Sequence, residues 1–475
     1  LKYTFAPGAV YSDGNPMVCD DIVLAAAAMG GKVRGFTAAT TAGYRDIADV
    51  ACTPGATTAT VTFGRGRDYA QWPALFGVGA LVPSHIVARR SGVTDLVGAL
   101  GSRDQEAIDK IATAWNTGFA LEPGKQIDPM DFPSAGPYRV DTYTVDGGME
   151  LVANDTWWGE QPATPRIVVW PRGTAGSTAV SDGRIEVLDT ADQQAADQVA
   201  GRAVAAYDGS ENRSGSRDPR PLSVTQLMPA ARGIMADPAV RRAFAQCVPR
   251  DNLARRFGAN GVVWSVRTVA PGDALGSALN GQFARRYPRA DVRRAKELID
   301  QRPAGDDGIP APAVTVRLGY LGPDAVGKAV AETIAGSCAA AGITVTDVSG
   351  PTIGPAALGT EVDVLLTNGP TGRAAAGTAS GFPAAYQLFA GDPLNVSNFR
   401  NDRASGAIND LSLTQSDSAR LPLARIAEEA AWDGLASIPL YGSVRFRENT
   451  GGVDRVVPGL AQTGTGWNMD RWVRS

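Results

Sequence analysis

A chain of 475 residues is longer than one ordinary hydrophobic core supports, so two or more compact units are expected. Hydrophobic residues at 44% and charged residues at 20% exclude a disordered chain. The formal net charge is −4, with no basic stripe and no Lys/Arg run, so no nucleic-acid partner is expected. No apolar stretch reaches the roughly 18–20 residues of a membrane helix; the longest, Ile22 to Met29, is mostly alanine.

The first residues, Leu1-Lys2-Tyr3-Thr4-Phe5, read as the inside of a strand, so a preceding segment is expected. Asp13-Gly14 supplies a tight turn, and a helix starts near Cys19 with Asp20 and Asp21 in its first turn. Val61–Phe63 is a strand, Trp72 to Ile86 is an irregular entry into a helix, and Asp104–Trp115 is helical. Tyr138–Tyr143 and Met149–Ala153 alternate as a hairpin around Asp146-Gly147-Gly148. Strands follow at Arg166–Trp170 and near Ile185, and Tyr207–Pro221, polar and rich in Gly, Ser and Arg, reads as an exposed loop. Val224–Met228 is a crossing strand, and Asp237-Pro238 opens a helix whose apolar face is Val240, Phe244 and Cys247. From Val314 the order is strand, helix (Val330, Ile334, Cys338 on one face), strand at Gly342–Val345 and strand at Val362–Leu366. That order marks an α/β unit with a largely parallel sheet. A last helix, with Leu423, Ile426 and Ala430 on one face, leads into Ile438-Pro439-Leu440-Tyr441.

Candidates for chemistry are few. The single histidine, His85, at a helix entrance, excludes two-histidine metal sites and reads as structural. Gly322 to Ala329 approaches a phosphate-cradling loop, but Ala329 stands where Ser or Thr should hold magnesium, and Pro323 removes a backbone donor. The adjacent carboxylates Asp20/Asp21, Asp306/Asp307 and Glu428/Glu429 do not face each other on a helix and make no acid/base dyad. No catalytic residue, metal site or cofactor is therefore expected. Cys19, Cys52, Cys247 and Cys338 form no C-x-x-C pair. The even count permits disulfides Cys19–Cys52 and Cys247–Cys338, suited to an exported protein, and is equally compatible with buried thiols.

Eight segments in order resemble the family 5 extracellular solute-binding proteins, the oligopeptide and dipeptide binders of ABC transporters. They are Tyr3 to Ile22, Val82-Pro83-Ser84-His85-Ile86, Gly136-Pro137-Tyr138-Arg139-Val140, Asn154 to Pro162, Ser181 to Val187, Asp237 to Asp251, Ala341 to Val345 and Ile438 to Tyr441. The composition, rich in Ala, Arg and Gly, is similar to that of actinobacterial lipoproteins of this family. The resemblance implies a periplasmic-binding-protein-like α/β fold (type II, cluster C), two lobes with mixed sheets and two hinge crossings. These crossings are expected near Val224–Met228 and Val444–Val456. Residues 1–135 would form a subdomain of lobe 1, 136–223 its core sheet, 224–445 lobe 2, and 446–475 the return to lobe 1. The implied protein is a monomer outside the cytoplasm, held to the membrane only by a lipid anchor. It would be no enzyme, binding peptide or another small solute for the permease subunits of an ABC importer. The alternative is a related lipoprotein that regulates cell-envelope glycolipid synthesis without transport.

Ligand-binding candidates are chosen by position. Trp264 and Trp467 lie near the expected crossings, and Asn368, Arg373 and Tyr386 lie in or after the stretch following Val362–Leu366. In that stretch the family's peptide binders carry an acidic segment whose aspartate can hold a ligand's α-amine. Here it reads Thr367-Asn368-Gly369-Pro370-Thr371-Gly372-Arg373 with no acid, which also admits an anionic or glycolipid-like ligand.

Overall fold

The computed structural model describes residues 1–77, 79–171, 174, 182–190, 216–218, 223–269, 271, 273–303, 311–368, 382–443, 445–449, 452–457 and 465–474. The N-terminal part is built on a three-stranded antiparallel sheet, order β1-β3-β2, of β1 (Lys2–Thr4), β2 (Ile47–Ala51) and β3 (Thr58–Phe63). In β3, Ala59 and Val61 are buried while Thr60 and Thr62 are exposed, the period-2 pattern of a half-buried strand. The helix Cys19–Met29 turns Cys19, Ile22, Ala25 and Met29 toward this sheet. It turns Leu24 toward Val87, Leu96 and Ile111 of the helices that follow. Asp21 fastens the helix start: its buried carboxylate accepts from Val18 N, Tyr11 Oη and Ser84 N, at 3.2, 3.0 and 2.8 Å. A disulfide joins Cys19 to Cys52 beside the end of β2.

A meander follows, of β4 (Tyr138–Tyr143), β5 (Met149–Ala153) and β6 (Arg166–Val169). Gly147 holds the β4–β5 turn at a φ of +84°, where a side chain would be strained. A third three-stranded sheet has the order β7-β15-β8, from β7 (Val187–Thr190), β8 (Ser216–Asp218) and β15 (Arg445–Asn449). Tyr207–Pro221 is therefore not wholly a loop: Ser216–Asp218 pairs with Arg445–Arg447. The remainder of that stretch lies outside the described residues.

The largest sheet has six strands, ordered β10-β14-β9-β13-β11-β12. These are β9 (Val224–Pro229), β10 (Gly258–Val263), β11 (Val314–Gly319), β12 (Ile343–Asp347), β13 (Val364–Asn368) and β14 (Ile438–Ser443). β11 runs parallel to β12 and β13, and the helix Ala325–Ala339 makes the crossover that such pairing requires. Asp324 caps that helix by accepting from Gly327 N at 2.9 Å. Val330, Ile334 and Cys338 face the core, and a disulfide joins Cys338 to Cys247 at the end of helix Pro238–Cys247. β9 is antiparallel to both neighbours.

The chain passes twice between this sheet and the β7-β15-β8 sheet, and the strands that flank the two passages pair with each other. One runs from β8 into β9 and the other from β14 into β15; Gly442 pairs with Val224, and Arg445 with Asp218. Val224–Met228 lies within the six-stranded sheet itself, each residue pairing with β13, β14 or both.

Candidate binding cleft

β11, β13 and β14 run in the same direction and end at one edge of the six-stranded sheet. At that edge lies a cavity of about 730 Å³. Open α/β sheets place ligands there, outside the carboxyl ends of their strands, and the volume falls within the roughly 300–1,000 Å³ of small-ligand sites. The floor is supplied by Thr225, Leu366, Asn368, Tyr441 and Ser443. One wall is the first turns of helix Ala325–Ala339 together with Tyr320 and Leu321. Thr352–Pro355 and Pro393–Val396 add to the rim, and Thr37, Ala38 and Ala39 reach over from the N-terminal part.

Hydrogen bonding on the floor runs in a short chain. Thr225 Oγ1 donates to Asn368 Oδ1 at 2.8 Å and lies 2.9 Å from Ser443 Oγ. Burial pushes the Tyr441 hydroxyl above its ordinary range, while its contact with Thr225 acts in the opposite direction. β13 has a further property. Its ladder with β9 continues to Asn368, whereas its ladder with β11 ends at Leu365. The last residues of β13 thus carry backbone groups past the end of β11, beside the cavity.

The N-terminal part is tied to the six-stranded unit next to this cavity. Asp392 accepts from Thr41 N at 2.8 Å, Thr41 Oγ1 at 2.7 Å and Thr40 Oγ1 at 3.2 Å. Arg45 lies over the Phe389 ring at 4.3 Å, and Ala70 N donates to Ser412 O at 2.9 Å. Burial raises the Asp392 carboxyl above its usual range, against the opposing effect of these donors.

Of the residues picked from the sequence, Asn368 lines the cavity. Trp264 does not: it is packed in the core of the six-stranded unit, its backbone N–H bonded to Leu440 O. Tyr386 is buried in the same core, stacked on Phe389. Trp467 is 55% exposed on the C-terminal return, its indole N–H donating to Val457 O. Arg373 lies outside the described residues. His85 pairs with Asp13, Nε2 to Oδ2 at 2.7 Å. Lys328 of the phosphate-loop look-alike stands out in solvent near Glu332. Among the described residues, Cys19, Asp20 and Cys52 are close enough together to hold a metal, and both sulfurs are bound in the disulfide.

Sequence reading missed Thr225, Tyr441 and Ser443, although strand alternation carries a signal for the last two: they stand two apart and share a face. Thr37-Ala38-Ala39 has no periodicity and gave none.

The family profile described as "Bacterial extracellular solute-binding proteins, family 5 Middle" matches residues 1–370. The chain belongs to this family. An uncharacterized lipoprotein of Mycobacterium tuberculosis is 37% identical over 477 residues, covering 99% of this chain and 81% of that one. Among solved structures, the oligopeptide-binding protein of Thermus thermophilus complexed with a pentapeptide matches with a TM-score of 0.74 at 17% identity. That match covers 100% of this chain and 83% of the other. The periplasmic EDTA-binding protein EppA matches with a TM-score of 0.71 at 19% identity, covering 100% and 84%. The fold is accordingly that of a two-lobed type II periplasmic binding protein, and the family member works outside the cytoplasm. Among the described residues no helix is long and apolar enough to cross a membrane.

Proposed function

We propose that this family 5 protein is the lipid-anchored, monomeric receptor of an ABC importer, and that it binds a peptide or peptide-like solute between its lobes without catalysis. The observation that carries the reading is the overhang of β13 beside the cavity, with Thr37–Ala39 facing it from the N-terminal part. An extended ligand can add to such an edge through its backbone, which gives affinity with little demand on side-chain identity. The T. thermophilus relative, complexed with a pentapeptide, supports the same ligand class. Thermal unfolding against a library of di- to pentapeptides tests it. A true ligand at about a hundred times its Kd should stabilise the protein by about 2.7 kcal/mol, and Asn368→Ala should weaken that response. No shift with any peptide would overturn the peptide reading.

A second reading, regulation of envelope glycolipid synthesis without transport, draws on the missing acidic segment after β13 and on the mycobacterial lipoprotein relative. Recovery of permease subunits in a pull-down from the native membrane would favour the importer; recovery of envelope-synthesis proteins alone would favour the regulator.

A further inference from the structure

We infer that the cleft holds an uncharged, mainly apolar ligand segment, so that a peptide ligand enters with its termini blocked or left outside. The inference rests on the receptor reading above and narrows it. The lining is dominated by side chains such as Leu321, Val326, Val330, Ile353, Leu366 and Leu394. Apart from Asp324, its polar side chains are hydroxyls and one amide, and the chain Asn368–Thr225–Ser443 already joins three of them. Among the described residues the lining contains one ionisable acid or base other than tyrosine, Asp324, and that carboxylate is engaged in capping helix Ala325–Ala339. Arg256 lies over the Phe257 ring at 4.8 Å but is not part of the lining.

A carboxylate carried into this space loses water and meets no cation among the described lining residues, and an ammonium meets only Asp324, whose carboxylate already caps the helix, so either charge is costly to place there. A neutral apolar segment gains from the same transfer. Leu321 sharpens the point, because it lines the cavity while remaining 46% exposed, an apolar surface left for an occupant to cover.

The test uses two dyes of nearly the same shape, neutral phenylnaphthylamine and anionic anilinonaphthalene sulfonate, followed by fluorescence with the whole protein. The neutral dye should bind at least tenfold more tightly than the sulfonate. Leu321→Asp should weaken neutral-dye binding at least tenfold, and Val145→Asp, on a remote exposed turn, should leave it unchanged. Circular dichroism checks that Leu321→Asp folds; Thr37→Asp on the opposite wall serves in its place if it does not. A leucine–alanine tripeptide, acetylated and amidated, should displace the dye at a concentration at least tenfold lower than the same tripeptide with free ends.

Absence of neutral-dye binding, equal binding of the sulfonate, indifference to both wall variants, or better displacement by the free-ended peptide would each overturn the inference. Neutral-dye binding that is sensitive to the wall variants but is displaced by neither peptide would uphold the ligand class and defeat the peptide-receptor reading instead.

Discussion

Glu428 and Asp392 are both buried carboxylates, yet they join different parts of the chain. Glu428 sits inside the six-stranded unit, where Arg267 Nη1 donates to it at 2.9 Å and Thr268 N at 2.7 Å. Arg267 in turn donates to Ser437, Ser437 to Gln226, Gln226 to Gln387, and Gln387 back to the Arg267 carbonyl. The Arg267 guanidinium lies over the Trp432 ring at 4.2 Å, and Arg250 approaches the same ring at 5.0 Å. Arg250 is itself held by backbone carbonyls of Pro439, Arg286 and Trp264. Asp392 spans the seam between the N-terminal part and the six-stranded unit, and the donors it meets are neutral groups of Thr40, Thr41 and Leu394.

The difference is one of reversibility. A buried ion pair tied into a closed ring of hydrogen bonds fixes one arrangement of several elements. The bonds from two adjacent threonines have uncharged donors, and both they and the Asp392 carboxylate can exchange them for water when the seam parts. A receptor that closes over a ligand needs both: a rigid unit to present the cavity floor and a seam that opens.

The largest effect should come from removing the counter-charge of Arg267, the ring's cation. Glu428→Ala leaves Arg267 buried without its counter-charge, and a loss of about 3–5 kcal/mol is expected in guanidinium unfolding. A loss below about 1 kcal/mol would mean the Arg267–Glu428 pair is not what holds the unit. Asp392→Ala should cost less, about 1–3 kcal/mol, and should act on shape. Small-angle scattering of the ligand-free variant should show a larger radius of gyration with the far-ultraviolet dichroism unchanged. Global unfolding in place of opening would erase the contrast between the two sites.

Much of the architecture was legible in the sequence because it is written in local patterns. The apolar face of Val330, Ile334 and Cys338, and the Asp237-Pro238 helix start, follow from short-range rules, and the structure places both helices there. The cavity was less legible, because its lining is gathered from several separated segments: Thr37–Ala39, Thr225, Tyr320–Val330, Thr352–Pro355, Leu365–Asn368, Pro393–Val396 and Tyr441–Ser443. Which strands end together depends on sheet order, and β9 lying between β13 and β14 cannot be read from any one segment. Trp264 shows the trap: aromatic and near a crossing in sequence, it belongs to the core because β10 pairs at the edge beside β14.

The smallest effect is a pH dependence carried by Asp392. Burial raises the Asp392 carboxyl when the seam is closed, against the donors from Thr41, Leu394 and Thr40. Once the seam opens, the group returns toward the ordinary aspartate value of about 3.9. The closed form therefore holds the proton more tightly, so closure gains as pH falls through the raised value and levels off below about 3.9. Above the raised value the carboxylate is ionised in both forms and closure is least favoured. Asp21 is also raised by burial, but it lies within the N-terminal part and titrates in wild type and Asp392 variants alike. Wild type should thus contract in small-angle scattering as pH is lowered from 7 toward 4, while Asp392→Asn stays flat across that window. Contraction of both would assign the effect to another group such as Asp21, and expansion of wild type would reverse the direction derived from the burial of Asp392.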